Sequence, residues 1–468
     1  MNQQSSLTGT TACLLVLLVI SLVGSLQAAD SPEYLKVEGP VVVSLKEERS
    51  PTDSIGTSPK SWITERRSFK LLPNQVLPRL WDQYMPLTGT PFFDGIDFLV
   101  SPRFYYFRRD TENVGIAESA AMGGALEMET GWWQDILRLK LTGYTSQKLY
   151  GPVDRDGSSS LRTGQESYTV LGEAVAEIKV GVLKARAGRT RIDLPYINAY
   201  DIRMTPNTFE GVGFSIHSLR NLQLAAGHLS KIKLRNRSSF ESMSQRAGVD
   251  GADRGVSFVG LRYNFSEDSH IGAVNQYGWD MFNTFYVEVD RLFEWQDDFS
   301  VRLGAQFTDQ RSTGDELLGG FSTQVGGVKL ALGVRELVAS AAFVVTSRGG
   351  DVRNPWGGSP TFRSSLISDQ DRAGERAVKL GATYGFDHWG FKGLAADVGY
   401  LHVITPDTGS AASPDEEEYS ATLDYQIPGK RFDNIWLRIR YAFNNQDSAR
   451  GGNDREDFRI ILNYAYAF

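Results

Sequence analysis

From Gly95 to Phe468 the chain alternates apolar and polar residues in short segments separated by Gly, Asp, Asn and Ser. A period of two is the mark of strands rather than helices. In SVRLGAQFTDQ, Val301, Leu303, Ala305 and Phe307 share one face, and Arg302, Gln306, Thr308 and Gln310 the other. ILRLKLTGYT sets Leu137, Leu139 and Leu141 against Arg138, Lys140, Thr142 and Tyr144. EYSATLDYQI sets Tyr419, Ala421, Leu423 and Tyr425 against Ser420, Thr422, Asp424 and Gln426. NIWLRIRYAF sets Ile435, Leu437, Ile439, Tyr441 and Phe443 against Trp436, Arg438, Arg440 and Ala442. The chain ends FRIILNYAYAF, with Phe458, Ile460, Leu462, Tyr464, Tyr466 and Phe468 on one face and Ile461 the one apolar intruder. Further strands are expected near 97–107, 169–180, 212–219, 222–229, 257–264, 378–386 and 394–403, whereas 274–345 resists division.

These strands are too long and too charged for an ordinary sandwich. Soluble strands average about 5–6 residues, whereas the alternation here often runs for about ten, the length of a tilted membrane strand. Aromatics collect at strand ends, where an interfacial girdle belongs. The polar faces carry Arg, Lys, Glu and Asp in quantity, which a water-filled lumen solvates and a small dry barrel cannot. Connections alternate between short turns (around 219–222 and 386–393) and long polar loops such as TPDTGSAASPDEEE. The fold class expected is all-β: a transmembrane antiparallel β-barrel. Dividing 95–468 among 18 strands leaves about 21 residues for each strand with its connection, and among 16 about 23; both fit a barrel, and the strand list favours 18.

Composition changes the picture in three ways. The net charge of −7 argues against a nucleic-acid partner. Mean hydropathy is −0.28, so apart from the N-terminus no stretch approaches the roughly 18 apolar residues of a membrane helix. The exception, ACLLVLLVISLVGSLQAAD at 12–30, reads as a secretory signal peptide spanning 1–29, with an uncleaved anchor as its rival. Removing it removes Cys13, the single cysteine, and with it all thiol and disulfide chemistry. Residues 30–94 do not alternate convincingly. They are read as a periplasmic or lumenal extension before a porin-like domain at 95–468.

The segment GRTRIDLPYINAYDIRMTPNTFEGV at 188–212 resembles the third-loop signature of the OprD family of outer-membrane porins. The matching positions are Gly188-Arg189, Leu194-Pro195, Asp201 to Arg203, and Pro206 to Gly211. LRNLQLAAGHLSKIKLRNRSSF and GATYGFDHWGFKGLAADVGYLHV are similar to other parts of that family. The resemblance implies an 18-stranded, substrate-selective channel in the outer membrane of a Gram-negative bacterium. It further implies an inward-folded third loop that narrows the pore, and a ladder of bases on one wall that guides small anions, often carboxylates. The terminal Phe468 resembles the signal by which such barrels are recognised for insertion. One departure is plain: the third-from-last strand, EEEYSATLDYQI, commonly supplies a base to the ladder in the family and here has none.

The ladder candidates are the bases on lumen-facing positions: Arg103, Arg138, Lys140, Arg186, Arg302, Lys379, Arg438, Arg440 and Arg459. Fixed cations in a narrow channel lower the barrier for an anion and raise it for a cation. Asp97, Glu127, Glu173, Glu177, Asp397 and Asp424 are read as the acids facing them. The bland alternative is that a wet wall is charged because it is wet and its pairs neutralise one another. Arg191, Asp193, Tyr196, Asn198, Tyr200, Asp201 and Arg203 are the candidate constriction, on a loop stiffened by Pro195 and Pro206. No catalytic residue, metal site or cofactor is expected: the five His are scattered, and no HExxH, GxSxG or phosphate-loop pattern occurs. The acid run Asp415 to Glu418 is read as a solvated face rather than a cation site. The expected partners are outer-membrane lipid and lipopolysaccharide, the barrel assembly machinery during insertion, and small-molecule solutes, with a homotrimer left open. Passive, partly selective diffusion of small hydrophilic solutes, anionic and carboxylate-type, is the leading function. A general, non-selective trimeric porin of 16 strands and an outer-membrane barrel hydrolase are the rivals.

Overall fold

The computed structural model describes residues 89–467 apart from 220, 267, 296–298, 407–412 and 429–434. The leader at 1–29, nearly all of the extension at 30–94, and Phe468 lie outside the described residues. Eighteen strands build the wall. They are β1 (Asp97–Thr111), β2 (Gly115–Glu129), β3 (Leu137–Tyr150), β4 (Tyr168–Val180), β5 (Leu183–Thr190) and β6 (Thr208–Leu219). Then follow β7 (Leu222–Lys233), β8 (Val256–Ser266), β9 (Ser269–Gly278), β10 (Phe282–Trp295), β11 (Phe299–Ser312) and β12 (Ser322–Val334). The last are β13 (Leu337–Thr346), β14 (Arg376–Gly385), β15 (Leu394–Ile404), β16 (Glu416–Gln426), β17 (Trp436–Gln446) and β18 (Arg455–Asn463).

Each strand pairs antiparallel with its sequence neighbours, and the ring closes where β18 meets β1. There Arg103 lies opposite Asn463 and Thr111 opposite Arg455, and the ladder continues with Leu99 opposite Ala467. Closure leaves no edge in a medium that offers backbone groups no water. The stretch 274–345, in which the pattern marked only β11, holds β10 to β12, nearly all of β13 and half of β9, and β2 was not foreseen at all. Its sequence, GIAESAAMGGALEME, is rich in Ala and Gly, so its alternation carries little hydrophobic contrast. Those small residues have a steric reason: a Cβ on Gly124 would stand 2.0 Å from the Ser101 carbonyl oxygen, and its φ is +127°.

The faces separate as the period of two requires. Leu139, Leu141, Leu303, Phe307, Val328, Leu330, Val378, Leu380, Val398 and Leu462 are exposed on the outside, a surface that only lipid satisfies. Aromatic contacts mark both rims: Phe293–Trp295–Phe299 and Tyr384–Phe386–Trp389 toward the short turns, Tyr277–Trp279 and Tyr400–Tyr419 toward the long loops. The largest buried apolar cluster lies where the inward loops meet the lumen side of the wall: Leu194, Tyr196, Ile197, Met243 and Trp356 of the loops pack with Phe209, Phe258 and Phe282 of the wall. The Trp356 ring stacks on Phe282 with centroids 5.1 Å apart and planes 7° apart. Long loops thus fold inward and build a core inside the barrel.

Leu303 is 48% exposed on the outer face of β11. Leu303→Arg is expected to destabilise the barrel by about 2–4 kcal/mol if it lies near the bilayer midplane. Equilibrium urea unfolding in lipid vesicles measures the change.

Candidate permeation site

The third loop on the long-loop side, 191–207, leaves β5 and crosses the lumen. At its tip Asp193–Leu194 pairs with Ile197–Asn198, a tight hairpin that puts Tyr196 at a φ of +64°. The hairpin docks on the far wall: the Tyr196 hydroxyl lies 2.8 Å from Thr308 Oγ1, and its ring meets Tyr286 edge-on at 6.3 Å. Burial pushes the Tyr196 phenol above its ordinary range, so it stays a neutral hydrogen-bonding group. Asn198 accepts from the Gly358 N–H at 2.9 Å and donates to the Gly358 carbonyl at 3.1 Å. The return limb reaches β1: Arg103 holds Asp201 at 2.6 Å, and the Tyr105 hydroxyl donates to the Ile202 carbonyl at 3.0 Å. Arg191 pairs with Glu173 at 3.0 Å, and Tyr200 donates to Asp369 at 2.6 Å, its phenol pushed up to about 12 chiefly by burial. Arg203 has no carboxylate on it among the described residues. Its Nε donates to the Ser158 carbonyl at 2.8 Å, and its guanidinium lies 4.4 Å from the Phe107 ring centre.

A second loop, 347–375 between β13 and β14, also enters the lumen. By composition it is one more long polar connection, although Trp356, Phe362 and Ile367 punctuate it. Those apolar residues inside a polar loop were the available signal. Arg363 is fully buried, 2.6 Å from Glu375 and 3.0 Å from Glu416; Arg372 reaches the same two acids at 3.0 and 3.1 Å. The Glu375 contact is an ion pair without hydrogen-bond alignment at Arg363 Nε. Glu416 and Glu418, read from sequence as part of a solvated run, are 4% and 0% exposed on the lumen side of β16. The reason lies outside their own strand, because the inward loop covers them.

The nine ladder candidates all stand on wall strands, and most are already paired. Arg138 contacts Glu129 and, at 2.9 Å, Glu177; Lys140 holds Glu127 at 2.8 Å; Arg186 holds Glu177 at 2.7 Å; Arg302 holds Asp290 at 2.5 Å. Lys379 donates to the Ser364 carbonyl of the second loop. Arg438 grips Asp424 with two bonds at 2.5 and 2.8 Å, so Asp424 sits on the same wall as the bases rather than opposite them. Asp397 accepts from Thr383 at 2.8 Å, and Asp97 is exposed at the start of β1. Arg459 pairs with Asp457 at 2.6 Å and donates to the Leu366 carbonyl at 2.8 Å. The register sets Arg440 directly opposite Arg459. Arg440 alone of the nine has neither a hydrogen bond nor an ion pair among the described residues, and its buried Nε has no partner.

Residues 90–468 match the family described as outer membrane porin, OprD family. The chain belongs to the OprD family of outer-membrane porins. It is 22% identical over 405 residues to the porin-like protein GalP of Pseudomonas putida, covering 80% of this chain and 92% of that one. Its fold is similar to Pseudomonas aeruginosa OccK9 (OpdG), with TM-score 0.74, 22% identity, and coverage of 81% of this chain and all of that one. It is equally similar in fold to Pseudomonas aeruginosa OpdK, solved with vanillate, at TM-score 0.74 and 19% identity over the same shares. This OprD-family porin is therefore a Gram-negative outer-membrane protein, and its family and fold point to a channel rather than an enzyme.

Two measurements probe the constriction. Asn198→Ala removes the two side-chain bonds by which Asn198 joins the inward loops at Gly358; open-channel current noise in a planar bilayer is expected to rise while the barrel stays folded. Glu375 supplies a pH dependence. Burial pushes its carboxyl up to about 7, with Arg363 and Arg372 pulling the other way. An acid raised above its unfolded value favours the protonated form, so its contribution to loop order is greatest below the ordinary carboxylate range and is lost as pH rises through about 7. Current noise should grow from about pH 5 to about pH 8, and Glu375→Gln should flatten that growth.

Proposed function

We propose that this porin passes small anionic, carboxylate-type solutes by diffusion along the wall formed by β17, β18 and β1, the long loops facing outside the cell. One observation carries the reading. In a lumen whose charges mostly cancel in pairs, Arg440 is a cation without a counter-ion, opposite Arg459 and beside Arg438. A desolvated cation with an unfilled donor is where an anion gains most and a cation loses most. Arg203 of the third loop, also without a carboxylate, adds a second uncancelled charge on the same side, near Arg459. The base missing from β16 does not reverse the sign, because Glu416 and Glu418 spend their charge on the second loop rather than on the open lumen. The solved relative with vanillate, itself a carboxylate, fits this chemistry.

Reversal potential in asymmetric salt across a planar bilayer tests the proposal. Anion preference is expected, and a cation-selective wild type would sink the reading. Arg440→Gln should reduce that preference more than Arg138→Gln, because Arg138 is already paired with two acids. Equal, negligible shifts would remove Arg440 from the path.

A further inference from the structure

The acids that replace the missing base in β16 have a task of their own. Glu418 is fully buried, and its carboxylate faces three consecutive backbone N–H groups of the second loop. It accepts from Leu366 N at 2.8 Å, from Ile367 N at 3.1 Å, and from Ser368 N at 2.8 Å. Two residues earlier in the same strand, Glu416 accepts from the Ser368 hydroxyl at 2.6 Å and from Arg363 and Arg372 of the loop at 3.0 and 3.1 Å. Its other oxygen is held from β17 by Asn444 at 3.2 Å and Gln446 at 3.0 Å. Charge-assisted bonds to backbone N–H groups are among the stronger ones a protein makes, and three on one carboxylate fix the backbone path of 366–368 more firmly than side-chain packing would.

The fixed path has a consequence on the opposite side of that segment. The Leu366 carbonyl, whose own N–H is held by Glu418, accepts from Arg459 Nη2 at 2.8 Å. Arg459 faces Arg440 across the β17–β18 ladder. A loop carbonyl therefore shares the Arg459 Nη2 donor with Asp457 and covers this cation on its loop side.

We propose that Glu418 is a positioning residue for solute selection: by clamping Leu366–Ser368 it holds the Leu366 carbonyl on Arg459, so that the loop competes with the anion for that cation and leaves Arg440 as the open one. This rests on the anionic reading above. It also gives the acidic start of β16 a physical role: the strand gives up a cation of its own and instead regulates, through the loop, one on the strand two places along the sheet.

The decisive experiment is a double-mutant cycle on the full-length protein in planar bilayers, reading single-channel conductance and reversal potential in potassium chloride. Heat-modifiable gel mobility reports the folded barrel for every variant. Glu418→Gln deletes a charge and weakens the clamp. Glu418→Asp keeps the charge but is one methylene too short to reach three N–H groups. Ile367→Pro removes a clamped N–H from the loop side without touching the wall. All three are expected to raise conductance and move the reversal potential toward the anion limit. Each shift is expected to vanish in an Arg459→Gln background, because the released carbonyl then uncovers no cation. A shift with Gln that is absent with Asp, and that persists undiminished without Arg459, would mean a bulk charge effect and overturn the proposal. The two claims fail separately: a cation-selective wild type refutes the anionic path, whereas additivity between positions 418 and 459 in conductance refutes the clamp whatever the sign of selectivity.

Discussion

Everything in this protein follows from the need to satisfy each backbone N–H and C=O within a layer that contains no water. A sheet meets that need only if it has no edge. The contact between β18 and β1 is therefore the interaction on which the rest depends, and the apolar face at the chain terminus is its visible cost. Once the ring is closed, alternation sends one side chain to lipid and the next to the lumen. Eighteen strands enclose more space than side chains from the wall can fill. The lumen is left to be furnished by loops.

That furnishing is electrostatic as much as steric. The wall presents bases and acids, and most find each other across neighbouring strands at 2.5–2.9 Å. The bland reading of a charged wet wall thus holds for Arg138, Lys140, Arg186, Arg302 and Arg438. What distinguishes the β17–β18–β1 wall is Arg440, which finds no carboxylate among the described residues. The inward loops narrow the space beside it through hydrogen bonds whose partners belong to other loops: Asn198 with Gly358, Trp356 with the Met243 carbonyl, Tyr200 with Asp369. Each loop is tied both to the wall and to the other loops, so the constriction is a cooperative unit and not a set of separate flaps.

How much of this could be read beforehand varies by residue. Long alternating strands such as β3, β11 and β17 were legible because Leu and Ile contrast sharply with Arg and Lys. β2 was not, because Ala and Gly provide no contrast and were selected by backbone proximity. The third loop was legible through its resemblance to a family signature. The second inward loop was not, because its direction depends on Glu416 and Glu418, about fifty positions later in the chain.

The amino-acid sequence by itself determined the period of two, which face of each strand meets lipid, the charged character of the lumen and the need for a closing strand. These are local properties, set by side-chain alternation and the length of each apolar run. Only the tertiary structure decided which charges cancel. Arg103 finds Asp201, and Arg459 finds the Leu366 carbonyl, at separations of 98 and 93 residues, and such partners are chosen by barrel register and loop path together. Whether an arginine is a structural strut or a rung for an anion depends on a neighbour that no local pattern names.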